Sequence, residues 1–188
     1  MYPASDNPRF VFAPAVANFG RMVTLSDVRD RVRQDLSDTA SQRWPDDQLE
    51  RHIAHALGEL SLAIPREQAA TIATTAGSRD IAIGEFEGML EVEAVEYPVG
   101  EFPPAYAGFS VWGSTLALHL DTAPDGAEAR VHYTATHSLD EEDSTLPEHL
   151  VDILVTGAKV DALSQTVQQD RDRSWGHQAC EPLEVEFS

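Results

Sequence analysis

Residues 80–129 read DIAIGEFEGMLEVEAVEYPVGEFPPAYAGFSVWGSTLALHLDTAPDGAEA, and their composition and pattern indicate the fold class. It contains ten Asp or Glu residues and no Lys or Arg. Short runs of alternating apolar and polar residues, separated by turns rich in Gly and Pro, are typical of β-strands. The flanking segments have helical periodicity instead. We therefore predict an α+β protein in which a helical framework is interrupted by an acidic β insert.

The β insert is expected to span residues 70–138 as a small antiparallel sandwich or barrel. Thr71–Thr75 and Asp80–Ile83 flank an Ala-Gly-Ser turn, which predicts a hairpin between these two runs. Pro124-Asp125-Gly126 is a second turn, because Pro presets φ and Gly tolerates positive φ. Further strands are predicted over residues 90–95, 109–112, 115–120 and 129–137.

Three helices are predicted around the insert, and they form a helical core from residues 24–66 and 145–169. The first runs over residues 25–36, with Thr24 as its cap and Asp27 in capping-box position. The second begins with Pro45 at its first position and stops before Pro65. The third starts with another capping box, in which Thr145 precedes Glu148, and is expected to end near Gln168.

The third helix is apolar over more than one face, and such a helix is usually buried on both sides. Its inner stripe is predicted from Leu150, Ile153, Leu154, Ala158, Asp161 and Ala162. Two other helices cannot cover the remaining apolar residues, so a neighbouring subunit is expected there. The residues assigned to that subunit interface are Val151, Val155, Gly157 and Val160.

The two ends of the chain have features of docking segments. Residues 1–23 form a predicted extended arm with scattered prolines and aromatic residues. In the tail, residues 170–188, the run Leu183-Glu184-Val185-Glu186-Phe187 alternates like a strand that could add to another chain. The residues predicted to dock on a neighbour or partner are Trp175, Leu183, Val185 and Phe187.

The net charge of −19 excludes several function classes. A strongly acidic surface repels phosphate, which argues against a basic nucleic-acid interface and against anionic membranes. The one cysteine, Cys180, excludes an intrachain disulfide. No apolar run approaches the length of a membrane span, and the N-terminal residues lack a signal-peptide pattern. The chain is therefore expected to be made in the cytoplasm.

The sequence contains no convincing catalytic, cofactor or metal motif. His52 and His55, with Glu59 further along the second helix, could share a helix face, but solvated histidines explain that spacing better. Glu85, Glu87, Glu91 and Glu93 lack the loop pattern of a calcium site. Phosphate-binding glycine loops and a nucleophile elbow are missing. We expect a protein that is not an enzyme.

Two alternatives of other classes remain open at this point. One is a ligand- or carbohydrate-binding β module on a helical stalk, with its aromatic contacts from Tyr97, Tyr106, Phe109 and Trp112. The other is a small hydrolase that would use His132, His137 and Asp140.

Several segments resemble the head–tail adaptor (connector) proteins of tailed bacteriophages. Trp44-Pro45-Asp46-Asp47-Gln48-Leu49, followed by Ile53, Ala56, Leu57 and Leu60, is similar to their second helix. Tyr133-Thr134-Ala135 to His137, then Thr145-Leu146-Pro147-Glu148 and the helix with Gly157-Ala158, is similar to their return from the insert into the last helix. The resemblance covers about residues 24–170.

The resemblance implies a structural subunit of the virion neck. Such proteins form a homo-oligomeric ring, commonly a dodecamer, beneath the portal protein, and double-stranded genomic DNA passes through the ring without specific binding. It further implies contact between the C-terminal segment and the portal, a β insert that projects outward, and a downstream neck or tail protein as partner. The related stopper and tail-completion roles are implied alternatives.

Overall fold

The computed structural model describes residues 23–178, and it has the α+β architecture that the sequence predicts. Within that range it contains three helices and six strands. In chain order these are α1 (Leu25–Asp35), α2 (Asp46–Ala63), β1 (Arg66–Ala73), β2 (Asp80–Ala82), β3 (Met89–Glu96), β4 (Tyr106–Trp112), β5 (Thr115–His119), β6 (Glu128–Ala135) and α3 (Glu148–Gln178).

The first two helices begin close to where their sequence signals place them. The Thr24 hydroxyl accepts a hydrogen bond from the Asp27 amide at 3.2 Å, and the Asp27 carboxylate accepts one from the Thr24 amide at 3.2 Å. This reciprocal pair is the predicted capping box. Pro45 is the N-cap of α2 and not its first helical residue, so the predicted start was one position too early.

Helix α3 is longer than its predicted end at Gln168, because it continues to Gln178. Residues 158–175 contain neither Gly nor Pro, so nothing in the local sequence stops the helix after Gln168. Trp175, which the sequence analysis assigned to a docking tail, therefore lies on a helical segment. At about 1.5 Å per residue, α3 is about 45 Å long.

The three helices share one hydrophobic core. Helices α2 and α3 are antiparallel, and Gly157 of α3 lies so close to α2 that an added Cβ would be 3.2 Å from the Ala56 Cβ. Gly157 was predicted to lie at the interface with a neighbouring subunit, but the helix that approaches it belongs to the same chain. The buried core residues are Val23, Val28, Val32, Trp44, Leu49, Ile53, Ala56, Leu60, Leu139, Leu146, Leu150, Val151, Leu154, Val155, Ala158 and Ala162.

The six strands form a single antiparallel sheet in the order β1-β6-β3-β4-β5-β2, rather than the two layers of a sandwich. The predicted hairpin between β1 and β2 is wrong, since β1 pairs with β6 and β2 pairs with β5. These two strands lie at opposite edges of the sheet although only residues 74–79 connect them. The sheet must therefore curl until its edges approach each other, as in a half-barrel.

The concave side of the sheet encloses a second core, separate from that of the helices. Two register shifts in β3 against β6 interrupt the simple alternation predicted for residues 90–95. As a result Val95 is fully buried while Leu90 stays 39% exposed. The buried residues of this core are Ile81, Ile83, Val92, Val95, Leu116, Leu118, Ala129 and Val131.

His137 and Ser61 join the sheet to the helices. The His137 amide donates to the Ser61 hydroxyl at 3.0 Å, and that hydroxyl donates to the Leu57 carbonyl at 2.7 Å. The His137 ring nitrogens lie 3.2 Å from the Thr145 carbonyl oxygen and 3.1 Å from the Ile64 carbonyl oxygen. His137 thus ties the end of α2 to the segment that leads from β6 into α3.

Candidate interaction surface

The outer face of α3 carries a stripe of exposed apolar side chains. Ile153 is 52% exposed, Val160 58% and Val167 60%. These residues are seven positions apart, and a seven-residue step drifts by only about 20° around a helix, so they lie above one another. Leu163, which is 49% exposed, widens the stripe. We call Ile153, Val160, Leu163 and Val167 the α3 stripe.

The α3 stripe differs from the interface that the sequence analysis predicted. Val151 is fully buried and Val155 is 6% exposed, so both belong to the core of their own chain and leave no surface for a neighbour. Gly157 packs on α2. Of the four predicted residues only Val160 is on the outer face. Ile153, which was assigned to the inner stripe, points outward instead.

Polar contacts on both sides fix how α3 is rotated. Toward α1, the Lys159 ammonium lies 2.6 Å from the Asp35 carboxylate. Toward α2, the Asp161 carboxylate lies 2.7 Å from Nδ1 of His52, and the Gln48 side-chain amide donates to Gln165 at 2.9 Å. Because these contacts occupy the two flanks of α3, the α3 stripe is held facing away from the core.

A turn between α1 and α2 holds these helices in place. The Asp38 carboxylate accepts backbone hydrogen bonds from Gln42 at 2.9 Å and from Trp44 at 2.8 Å. Burial alone would raise the pKa of Asp38, but these bonds, that of Arg43 and the charge of Arg33 together lower it below the ordinary value. The buried Arg33 also donates to the Trp44 carbonyl at 2.9 Å and pairs with Asp46.

The predicted docking residues of the tail are only partly within the described chain. Trp175 lies in the last turns of α3. Leu183, Val185 and Phe187 lie outside the described residues, so their docking role stays a prediction.

The histidines of α2 are not arranged as the sequence analysis expected. His52 is buried rather than solvated, and its ring meets the edge of Trp44 with a centroid separation of 6.1 Å. His55 is exposed, with Nδ1 3.6 Å from the Asp161 carboxylate that His52 also contacts. Within residues 23–178, no group of three or more His, Cys, Asp or Glu side chains is placed to hold a metal ion.

The residues named for a hydrolase do not assemble into a catalytic arrangement. Both ring nitrogens of His137 face backbone carbonyls at the junction of sheet and helices. His132 lies on β6 beside the ring of Tyr106, with 6.5 Å between the ring centroids. The backbone carbonyl of Asp140 accepts a hydrogen bond from the Leu25 amide, at the start of α1.

The four aromatic residues named for a ligand-binding module are divided between two environments. Tyr97 and Phe109 pack against the core of the sheet. Tyr106 is 63% exposed and Trp112 is 79% exposed, but they stand at opposite ends of β4. They therefore do not form one aromatic platform.

Most acidic residues of the insert are solvated, and Glu96 is an exception. Its carboxylate is buried and lies 3.0 Å from the Arg130 guanidinium, which comes from the first basic position after the acidic stretch. Glu91 and Glu93 are exposed on β3. The outer face of the sheet is therefore an acidic surface.

Two comparisons relate the chain to known proteins. A family model described as SU10 adaptor protein matches residues 23–179, which covers most of the chain. A 38-residue segment is 62% identical to elongation factor 4 of Syntrophus aciditrophicus (strain SB), a match over 20% of this chain and 6% of that protein. No helix in the described part of the chain is long and apolar enough to cross a membrane.

Proposed function

Because the chain belongs to the SU10 adaptor protein family, a family of phage head–tail adaptors, we propose that it is a ring-forming subunit of the virion neck beneath the portal protein. The ring is a homo-oligomer, with a dodecamer as the expected state, and genomic double-stranded DNA passes through it. The family itself is structural, and the proposal contains no catalytic step.

The observation that carries the proposal is the α3 stripe. Four large apolar side chains, each about half exposed, lie on one face of the longest helix. Soluble monomers rarely leave such a contiguous apolar surface in water, whereas subunit interfaces bury it. The stripe uses Val160 from the predicted interface and adds Ile153, Leu163 and Val167.

The tail supplies the second contact in this proposal. Helix α3 starts near the sheet and is about 45 Å long, so Gln178 lies at the end of the helices far from the sheet. We assign Trp175, Leu183, Val185 and Phe187 to portal docking, with the acidic insert projecting on the other side toward solvent. The downstream neck or tail protein would meet the ring on the face opposite the portal.

The test is size-exclusion chromatography with light scattering, on the chain alone and mixed with its portal protein. We expect a ring-sized complex with the portal. Replacing Leu183, Val185 and Phe187 together by Ala should abolish portal binding. The matched control, Glu184→Gln with Glu186→Gln, changes the alternate side chains of the same segment and should keep it. A chain that stays monomeric with the portal present would overturn the proposal.

A further inference from the structure

The predicted N-terminal arm lies outside the described residues, which begin at Val23. Within the arm, residues 10–20 read FVFAPAVANFG and contain no charged side chain. An apolar segment of this kind gains free energy when its side chains are removed from water. We call residues 10–20 the apolar arm; its large apolar residues are Phe10, Val11, Phe12, Val16 and Phe19.

The arm joins the described part of the chain beside the beginning of α3. Val23 is buried in the core of the helices. The Leu25 amide donates to the Asp140 carbonyl at 3.1 Å, so the start of α1 lies against the segment that leads into α3. Further along α1, the Arg31 guanidinium is 3.6 Å from the Asp152 carboxylate. Residue 22 is therefore joined to the helices at the end where the α3 stripe begins.

The arm is long enough to follow the α3 stripe of an adjacent copy. From Ile153 to Val167 the stripe is about 21 Å long, at about 1.5 Å per residue. An extended chain covers about 3.3 Å per residue, so residues 10–20 can span about 33 Å and the segment from Phe10 to Val23 about 43 Å. A helix with its side chains is about 10–12 Å across, so this length reaches past the helices of the arm's own subunit.

Charge favours the same match. The arm contains Arg9 and Arg21 but a single acidic residue, Asp6, in a chain with a net charge of −19. It is therefore attracted to a second copy, whereas the acidic surfaces of two copies repel each other. The α3 stripe itself is uncharged, as is the apolar arm. The outer face of α2 is a poorer partner for the arm, because exposed Asp47 and Glu59 interrupt its small and apolar residues.

We propose that the apolar arm of one subunit lies along the α3 stripe of its neighbour, an assignment that rests on the proposed ring. The ring places a neighbouring subunit against the stripe, and the arm supplies an uncharged segment of sufficient length to cover it. Both apolar surfaces leave the water in one contact. Each subunit gives its arm to one neighbour and receives the arm of the other, so the contact is heterologous and can repeat around a ring.

Photocrosslinking on rings assembled with the portal protein tests this contact. The photoprobe p-benzoylphenylalanine replaces Phe12, and unlabelled and isotopically heavy chains are mixed in equal amounts before assembly. After irradiation and trypsin digestion, we expect the arm peptide, residues 10–21, joined to the stripe peptide, residues 160–171. Pairs of one light and one heavy peptide should be as frequent as unmixed pairs. The matched control has the probe at Phe102, which is 97% exposed in the β insert, and should give no crosslink to residues 160–171.

A second set of variants measures what the arm contributes to assembly. Phe10→Ser with Phe12→Ser should weaken association at least about tenfold, because burial of each large apolar side chain contributes about that factor. Asn7→Ser with Asn18→Ser changes polar residues of the same arm and should assemble like the wild type. Light scattering over a concentration series, with the portal protein present, gives both values.

The outcomes separate this inference from the proposed function. Rings in which every crosslink joins peptides of the same label would overturn it, because the arm then lies on the stripe of its own subunit. Rings in which the arm crosslinks to the sheet, to α2 or to the portal protein, or in which Phe10→Ser with Phe12→Ser assembles with unchanged affinity, would also overturn it and leave the ring intact. A wild-type chain that never assembles with its portal overturns the proposed function, and this inference with it.

Discussion

The sharpest prediction concerns a single charge placed in the α3 stripe. Val160→Asp should prevent assembly of the ring without unfolding the subunit. Val160 is 58% exposed in the isolated chain, so the substitution removes little from the core. Asp at an exposed helix position changes helix propensity by less than about 0.7 kcal/mol. The thermal midpoint of the monomer should therefore stay close to that of the wild type.

The size of the effect on assembly follows from burial and charge. Complete burial of a valine side chain contributes roughly 1.5–3 kcal/mol. Since 58% of Val160 is still exposed, burying that part at an interface contributes about 1–2 kcal/mol. An unpaired carboxylate buried there costs several kcal/mol more. A total of at least about 3 kcal/mol for each interface corresponds to more than a hundredfold weaker association.

Light scattering over a concentration series measures this loss directly. Val111→Asp is the matched control, because it puts the same charge in place of another exposed valine, at 40% exposure, on the sheet. It should assemble as the wild type does. The reasoning fails if Val160→Asp assembles with unchanged affinity, or if Val111→Asp disrupts assembly equally.

Two further predictions concern the stability of the subunit in denaturant. Gly58→Ala should raise the free energy of unfolding by roughly 0.5–1 kcal/mol, because the new methyl group meets no atom. Gly157→Ala should raise the free energy of unfolding less than Gly58→Ala does, because its Cβ would lie 3.2 Å from the Ala56 Cβ and one of the two helices must shift. Equal increases for the two variants would contradict this contrast. Asp38→Asn should destabilise at neutral pH, since an amide NH₂ would face backbone donors. The pKa of Asp38 is lowered in the folded protein, so its contribution to stability is present above the ordinary pKa of 3.8 and is lost as the pH falls through the folded pKa. The difference in unfolding free energy between Asp38→Asn and the wild type should therefore become smaller in acid. A difference that stays constant from pH 7 to pH 2 would show that the Asp38 charge does not stabilise the fold.

Local sequence signals predicted the helices well and the strand pairing poorly. Capping chemistry at Thr24 and the periodicity of α2 act within a few residues, so they are visible without the fold. The capping box predicted at Thr145 is not formed, because α3 begins at Glu148 and the Thr145 hydroxyl accepts a hydrogen bond from the Ser138 amide at 2.8 Å. The hairpin between β1 and β2 was wrong for the opposite reason. A turn signal predicts that two runs are close in space, but it does not exclude a curled sheet in which they occupy opposite edges.

The residues proposed for the interface were only partly predictable from the sequence because α3 is apolar over more than one face. Periodicity alone does not decide which apolar line faces inward. The choice is made by α1 and α2, which pack on α3 from two sides and bury Val151 and Val155 together with Leu154. The seven-residue spacing of Ile153, Val160 and Val167 was available in the sequence. It became informative only once the opposite face was shown to be the core.

Negative charge is spread over both parts of this molecule, so it does not by itself select the surface at which copies meet. The sheet carries an acidic stretch without Lys or Arg between Arg79 and Arg130, and the helices carry exposed acidic residues such as Asp30, Asp47 and Asp152. The four residues of the α3 stripe are uncharged and exposed. Because like charges repel wherever two acidic copies approach, an uncharged apolar surface is where the approach is opposed least, and this is why the proposed contact uses the α3 stripe and not the sheet.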